Sequence, residues 1–131
     1  MSYSYVTPDN LRHVWSFVKE GLEKVQAKGS SGWLVEDVYC DCFEKRSFLY
    51  ILHKDTPFGF IVLQPIGKTL HIWVAWCNSD DPTDLGLGLE YSKEIAKQNG
   101  CTSLTFTSVR KGWEKRARQL GFVPSTWELK L

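Results

Sequence analysis

The chain has 131 residues, 43% of them hydrophobic, which suits one domain with one core and leaves no room for a second. With 16 Lys and Arg against 15 Asp and Glu, the formal net charge is +1, so no global field draws the protein to nucleic acid or to an anionic membrane. The N-terminus lacks a basic segment followed by an apolar one, and no apolar stretch approaches the ~18–20 residues that span a bilayer; the expectation is a soluble, cytoplasmic protein.

Tyr3 and Tyr5 alternate with Ser2 and Ser4, a short strand signal, and Thr7-Pro8-Asp9 then offers a helix entry with a proline suited to the first turn. From Leu11 the apolar residues Leu11, Val14, Trp15, Val18, Leu22 and Val25 recur at three- and four-residue steps, the mark of an amphipathic helix. It stops at Gly29-Ser-Ser-Gly32. The stretch 34–44 carries Leu34, Val38 and Phe43 with acidic residues between them and reads as a shorter helix.

The period then changes. Stretches 48–53, 58–64 and 70–77 are β-rich, parted by Lys54-Asp55-Thr56-Pro57 and Pro65-Ile66-Gly67-Lys68, the turn chemistry of an antiparallel meander. The polar segment 78–84 ends the meander, and Leu85, Leu89, Ile95 and Ala96 mark another helix that Asn99-Gly100 terminates. A short strand at 104–106, a basic helix at 111–120 and an alternating strand at 122–131 follow. The order β-α-α-β-β-β-α-β-α-β describes an α+β fold with a mixed sheet, one domain over 1–131, without internal repeat or linker.

The four cysteines, Cys40, Cys42, Cys77 and Cys101, form no CxxC pair and no Cys/His spacing that a tetrahedral zinc site needs, so no metal is predicted. They read as reduced thiols packed like small hydrophobes, with Cys40-Asp41-Cys42 the one close pair. The 6 tryptophans serve core and rim packing or a ligand or partner surface.

Gly86-Leu-Gly88 opening a helix after the third meander strand, followed by Ala96-Lys-Gln-Asn-Gly100, Leu104-Thr-Phe106 and Leu120-Gly-Phe122, resembles the GNAT superfamily of N-acetyltransferases. The likeness covers nearly the whole chain in layout. Val109-Arg-Lys-Gly-Trp-Glu114 with the early Thr7-Pro-Asp-Asn10 is, more narrowly, similar to small GNAT-like proteins encoded by bacteriophages. The resemblance implies a mostly antiparallel central sheet splayed at strands 4 and 5. Unpaired backbone on strand 4, here Val74, Ala75 and Trp76, would take the pantetheine arm of acetyl-CoA. The family's Gln/Arg-x-x-Gly-x-Gly/Ala loop would fall on Thr83, Gly86 and Gly88, with Leu85 and Leu87 between, holding the pyrophosphate at a helix start.

The sequence departs from that pattern at two places. Thr83 replaces a long polar or basic residue, and Asp80, Asp81 and Asp84 stand where a diphosphate would arrive. Ala117 occupies the position of the tyrosine that commonly protonates the leaving thiolate, with Tyr91 and Cys77 as substitutes. For the base the resemblance implies His71 on strand 4, or Glu36 or Asp37 in the second helical region. His71 also alternates with Leu70 and Ile72, so a solvent-facing strand residue is the other reading, while His13 and His53 read as surface residues.

Arg110, Lys111, Lys115, Arg116 and Arg118 crowd around Trp113, and this patch suits coenzyme A phosphates, nucleic acid, or simply a solvated helix face. Two function classes stand. One is an acetyl-CoA-dependent N-acyltransferase acting on an unidentified amine, with an acceptor pocket from 29–43 and the chain after Gly121. The other is a catalytically inactive GNAT-fold protein serving as a binding or virion-associated module. The resemblance also implies a possible homodimer through the last strands.

Overall fold

The computed structural model describes residues 2–28, 32–79 and 81–106. The expectations for 107–131, including the basic cluster, Trp113, Ala117 and the closing strand, lie outside the described residues, as do Asp80 and the side chain of Leu85.

The elements are β1 (Ser2–Tyr5), a 3-10 turn (Pro8–Asn10), α1 (Leu11–Ala27), α2 (Val35–Phe43), β2 (Phe48–His53), β3 (Pro57–Ile66), β4 (Thr69–Cys77), α3 (Pro82–Gln98) and β5 (Ser103–Phe106). One five-stranded sheet runs in the order β1-β2-β3-β4-β5. Pairs β1–β2, β2–β3 and β3–β4 are antiparallel and β4–β5 is parallel. Parallel strands need a crossover, and α3 supplies it. The mostly antiparallel α+β architecture expected from the sequence is therefore present.

The sheet is covered on both faces, and β3 shows why it lies in the middle: every residue from Phe58 to Leu63 is buried. Phe60 and Val62 point to one face and pack with Val18 and Leu22 of α1 and Val38 of α2. Ile61 and Leu63 point to the other and pack with Ile95 and Ala96 of α3. The period-2 alternation thus splits one strand between two cores.

Turn chemistry fixes the connections. Gly67, at φ 60°, forms with Lys68 the two-residue loop between Ile66 and Thr69, and Gly100, at φ 72°, closes α3. Two other glycines are set by contact. A Cβ at Gly21 of α1 would lie 2.6 Å from Cε3 of Trp76, and one at Gly59 would strike the Trp76 carbonyl of β4.

One boundary differs from the sequence reading in a way that bears on function. The polar segment 78–84 is not all loop, because α3 begins at Pro82, with Asp81 as N-cap accepting the Thr83 N–H at 2.9 Å. Proline at the first position and Asp84 in the first turn both favour that start. Gly86 and Gly88 therefore lie inside the helix rather than at its opening. All four cysteines are free. Burial, and secondarily the charge of Asp41, pushes the Cys42 thiol up to about 12. No helix among the described residues is long and apolar enough to cross a membrane.

Candidate functional site

The β4–β5 ladder pairs Thr69 to Ile72 with Ser103 to Phe106. β4 then continues to Cys77. On its other side, Ile72 pairs with Leu63 and Val74 with Val62, so Trp73 is an extra residue, a β-bulge. A bulge bends its strand and increases the local twist, and this one falls where the described ladder to β5 ends. Beyond it, alternate residues of β4 direct backbone N–H and C=O groups away from β3. Val74 is buried against the α1 face, Ala75 is exposed, and the Trp76 ring packs beside Phe17 and Phe60.

Leu70 and Ile72 belong to the α3-side core, so His71 faces the side of the sheet that carries α1 and α2. Its Nδ1 lies 2.9 Å from Thr105 Oγ1 on β5, and burial lowers its pKa from the ordinary imidazole value. His71 is half-buried rather than solvent-facing. Trp73 points to the same side, where Trp33, from the α1–α2 connection, meets it edge-to-face at 5.7 Å between ring centroids. Gln26 of α1 anchors Trp33 by donating to its carbonyl at 2.7 Å. Glu36 is exposed in the first turn of α2, whereas Asp37 is committed to the cap, accepting the Leu34 N–H at 2.7 Å.

The α3 entrance carries two carboxylates with different fates. Asp84, 2% exposed, is clamped by Lys54 of the β2–β3 turn at 2.7 Å, and this hydrogen bond holds its pKa below the ordinary carboxylate value. Asp81 is exposed and occupies the Thr83 N–H. A Cβ at Gly86 would meet nothing within 4 Å, whereas one at Gly88 would touch Leu52 and Ile61 of the sheet at 3.8 and 3.9 Å. Gly88 is thus a packing glycine and Gly86 an open one. Leu87 is half-buried between them.

Tyr91 is placed elsewhere. It packs on Tyr3 of the far edge strand β1, ring centroids 4.7 Å apart, on the α3 face of the sheet. The structure does not bring it together with His71, which looks out from the opposite face of β4. Cys77 donates its thiol to the Ser79 carbonyl at 3.2 Å. Two features escaped the sequence reading. Lys54 carries no local signal for a partner thirty residues away. The bulge at Trp73 hides within an unbroken β-rich run, and strict alternation would have put Val74 with Ile72.

No family model matches the sequence, and no curated protein matches it. Solved structures do match along the full length. A ribosomal-protein-alanine N-acetyltransferase from Brucella melitensis biovar Abortus 2308 superposes with TM-score 0.72 at 8% identity, covering 100% of each chain. PaiA N-acetyltransferase from Thermoplasma acidophilum, solved in complex with coenzyme A, gives 0.66 at 13% identity, covering 98% of this chain and 94% of that one. An aminoglycoside acetyltransferase from an uncultured soil metagenomic sample, in complex with sisomicin, gives 0.67 at 10% identity, covering 98% and 96%. The fold is that of the GNAT acetyltransferases.

The bulge at Trp73 lies on β4, and α3 is the helix that follows that strand. The residues present fit an acyl-CoA. The β4 backbone past Ile72 is clear of the described ladder, Lys54 neutralises Asp84, and Gly86 leaves open space on the helix. Asp81 is the one described carboxylate at the entrance with no cation on it.

Proposed function

We propose that this chain is a GNAT-type N-acyltransferase that takes an acetyl group from acetyl-CoA and transfers it to an amine. The observation that carries the reading is the fold, matched along nearly the whole chain by acetyltransferases, with a bulge of β4 at Trp73 beside α3. The CoA-bound and amine-directed enzymes among its structural neighbours support it.

Backbone groups of Val74, Ala75 and Trp76 hold the pantetheine arm, and the first turn of α3, from Thr83 to Gly86, faces the diphosphate with its positive dipole end. When bound, acetyl-CoA supplies a thioester-activated acyl carbon. His71 accepts the proton that the amine releases as the new N–C bond forms and the C–S bond breaks. Burial keeps His71 neutral near neutral pH, the form a base requires, and Thr105 orients the ring. Glu36 is the carboxylate on the acceptor side. Tyr91 points to Tyr3, so of the two substitutes for the tyrosine that Ala117 replaces in the sequence, Cys77 on β4 is the one that can protonate the leaving thiolate.

Calorimetric titration with acetyl-CoA tests the reading. A micromolar Kd, roughly −8 kcal/mol, is expected. No heat, together with no change in melting temperature at about millimolar ligand, would replace the enzyme by the second reading, an inactive GNAT-fold binding protein.

A further inference from the structure

A cavity of about 590 Å³ opens between β1, the first two turns of α1 and the end of β2, within the size range of small-molecule sites. It lies at the other end of the sheet from His71. His53, on its wall, pairs with Pro57 at the start of β3, whereas His71, two strands across from β2, pairs with Gln64 toward the end of β3. None of its described lining residues belongs to β4 or α3, the elements that carry the proposed acyl-CoA site.

The wall has an apolar part and a polar part. Val6, Val14, Phe17 and Ile51 supply the first, and Ser4, Asn10, His13 and His53 the second. Ser4 Oγ lies 2.8 Å from His53 Nε2, which leaves Nδ1 of that ring without a partner among the described residues. His13 is exposed and neither of its ring nitrogens has such a partner, and the Asn10 side chain makes no capping hydrogen bond. Tyr5, the remaining titratable group of the lining, is kept neutral by burial, which raises its pKa.

No Asp, Glu, Lys or Arg stands among the described lining residues. A cation entering here would leave water without gaining a counter-charge, which is unfavourable. A carboxylate meets two imidazoles that turn cationic on taking a proton and an amide that donates, so its hydrogen bonds are charge-assisted. An apolar tail on the same molecule covers the other part of the wall.

We infer that this cavity binds a small apolar monocarboxylate, with the carboxylate on His13 and His53 and the tail on Val14, Phe17 and Ile51. The site stands apart from the acyltransferase reading and does not need it.

Hexanoate, hexanamide and hexylamine share one tail and differ in charge, and each is titrated calorimetrically into the whole protein. Hexanoate binds at least about tenfold more tightly than hexylamine and severalfold more tightly than hexanamide. His13→Gln, an exposed substitution on α1, weakens hexanoate by at least about fivefold and leaves hexanamide within about twofold. Adding His53→Gln brings hexanoate down to the affinity of hexanamide. Hexylamine or hexanamide binding as tightly as hexanoate overturns the inference, as does absence of hexanoate binding or an equal effect of His13→Gln on acid and amide. Displacement of hexanoate by acetyl-CoA also overturns it, because the acid would then occupy the β4 site. Failure of acetyl-CoA to bind sinks the acyltransferase reading alone, and the ranking of the three ligands still decides this one.

Discussion

Lys54 in the β2–β3 turn grips both carboxylate oxygens of Asp84 in the first turn of α3, at 2.7 and 2.8 Å. The pair ties the start of α3 to the far end of the β2–β3 hairpin and removes a negative charge from the place where a diphosphate would arrive. Asp84 is buried at 2% exposure, so its charge depends on this partner and on the positive end of the helix.

That dependence sets an acid limb. The folded pKa of Asp84 is lowered from 3.8, chiefly by the Lys54 hydrogen bond. The stabilisation is therefore fully present above the unfolded value and is lost as pH falls through the folded one. Lys54→Met should lower the melting temperature at neutral pH and flatten its fall on acidification, measured by thermal melts between about pH 2.5 and 7. Superimposable curves for variant and wild type would show that the pair contributes nothing.

Asp81 behaves oppositely, since it caps α3 but carries an unneutralised charge. Asp81→Asn keeps a capping oxygen and deletes the charge. Acetyl-CoA should bind the variant more tightly, by up to roughly fivefold, the ~1 kcal/mol that two charges ~4 Å apart exchange in water. The gain should shrink with added salt. An unchanged Kd at low ionic strength would place the diphosphate away from the α3 entrance.

Two helix glycines should respond to alanine with opposite signs. Alanine gains up to ~1 kcal/mol of helix propensity over glycine. At Gly86 nothing lies within 4 Å of the new Cβ, so Gly86→Ala should be stabilising by a fraction of that. At Gly21 the Cβ would press on the Trp76 ring at 2.6 Å, and that ring is held by Phe17 and Phe60. Overpacking costs typically ~1–3 kcal/mol, so Gly21→Ala should be destabilising in denaturant titration. The longer, charged Gly86→Glu should fold yet abolish acetyl-CoA binding, and an unaltered affinity would remove this turn from the site.

What the sequence disclosed follows the reach of each signal. Spacing at three and four residues found α1 because Leu11, Val18 and Leu22 bury one face of it, and Gly67 found the β3–β4 turn because its backbone needs positive φ. The start of α3 was misjudged because Asp81, Pro82 and Asp84 look like loop composition until their capping roles are counted together. The placement of His71 and of Val74, Ala75 and Trp76 on β4 was readable from the β-rich run 70–77. The Lys54–Asp84 clamp and the Trp33–Trp73 pair were not, since both depend on contacts between distant segments that leave no periodicity behind.

His71 provides the sharpest test of the chemistry. Burial disfavours its imidazolium, so the folded pKa lies below the ordinary 6.5 and the neutral base persists into mildly acidic solution. In kcat/KM against pH, activity should therefore rise from the acid side with a midpoint below 6.5, and not above it. His71→Ala should lower kcat/KM by about 10²–10⁴ in the region where the base is neutral and remove the limb, while acetyl-CoA affinity stays unchanged. Thr105→Val keeps the base but loses its hydrogen bond, so it should cost less and preserve the limb. A limb that survives His71→Ala would assign the proton to another group, and Glu36→Gln would then be the variant to assay.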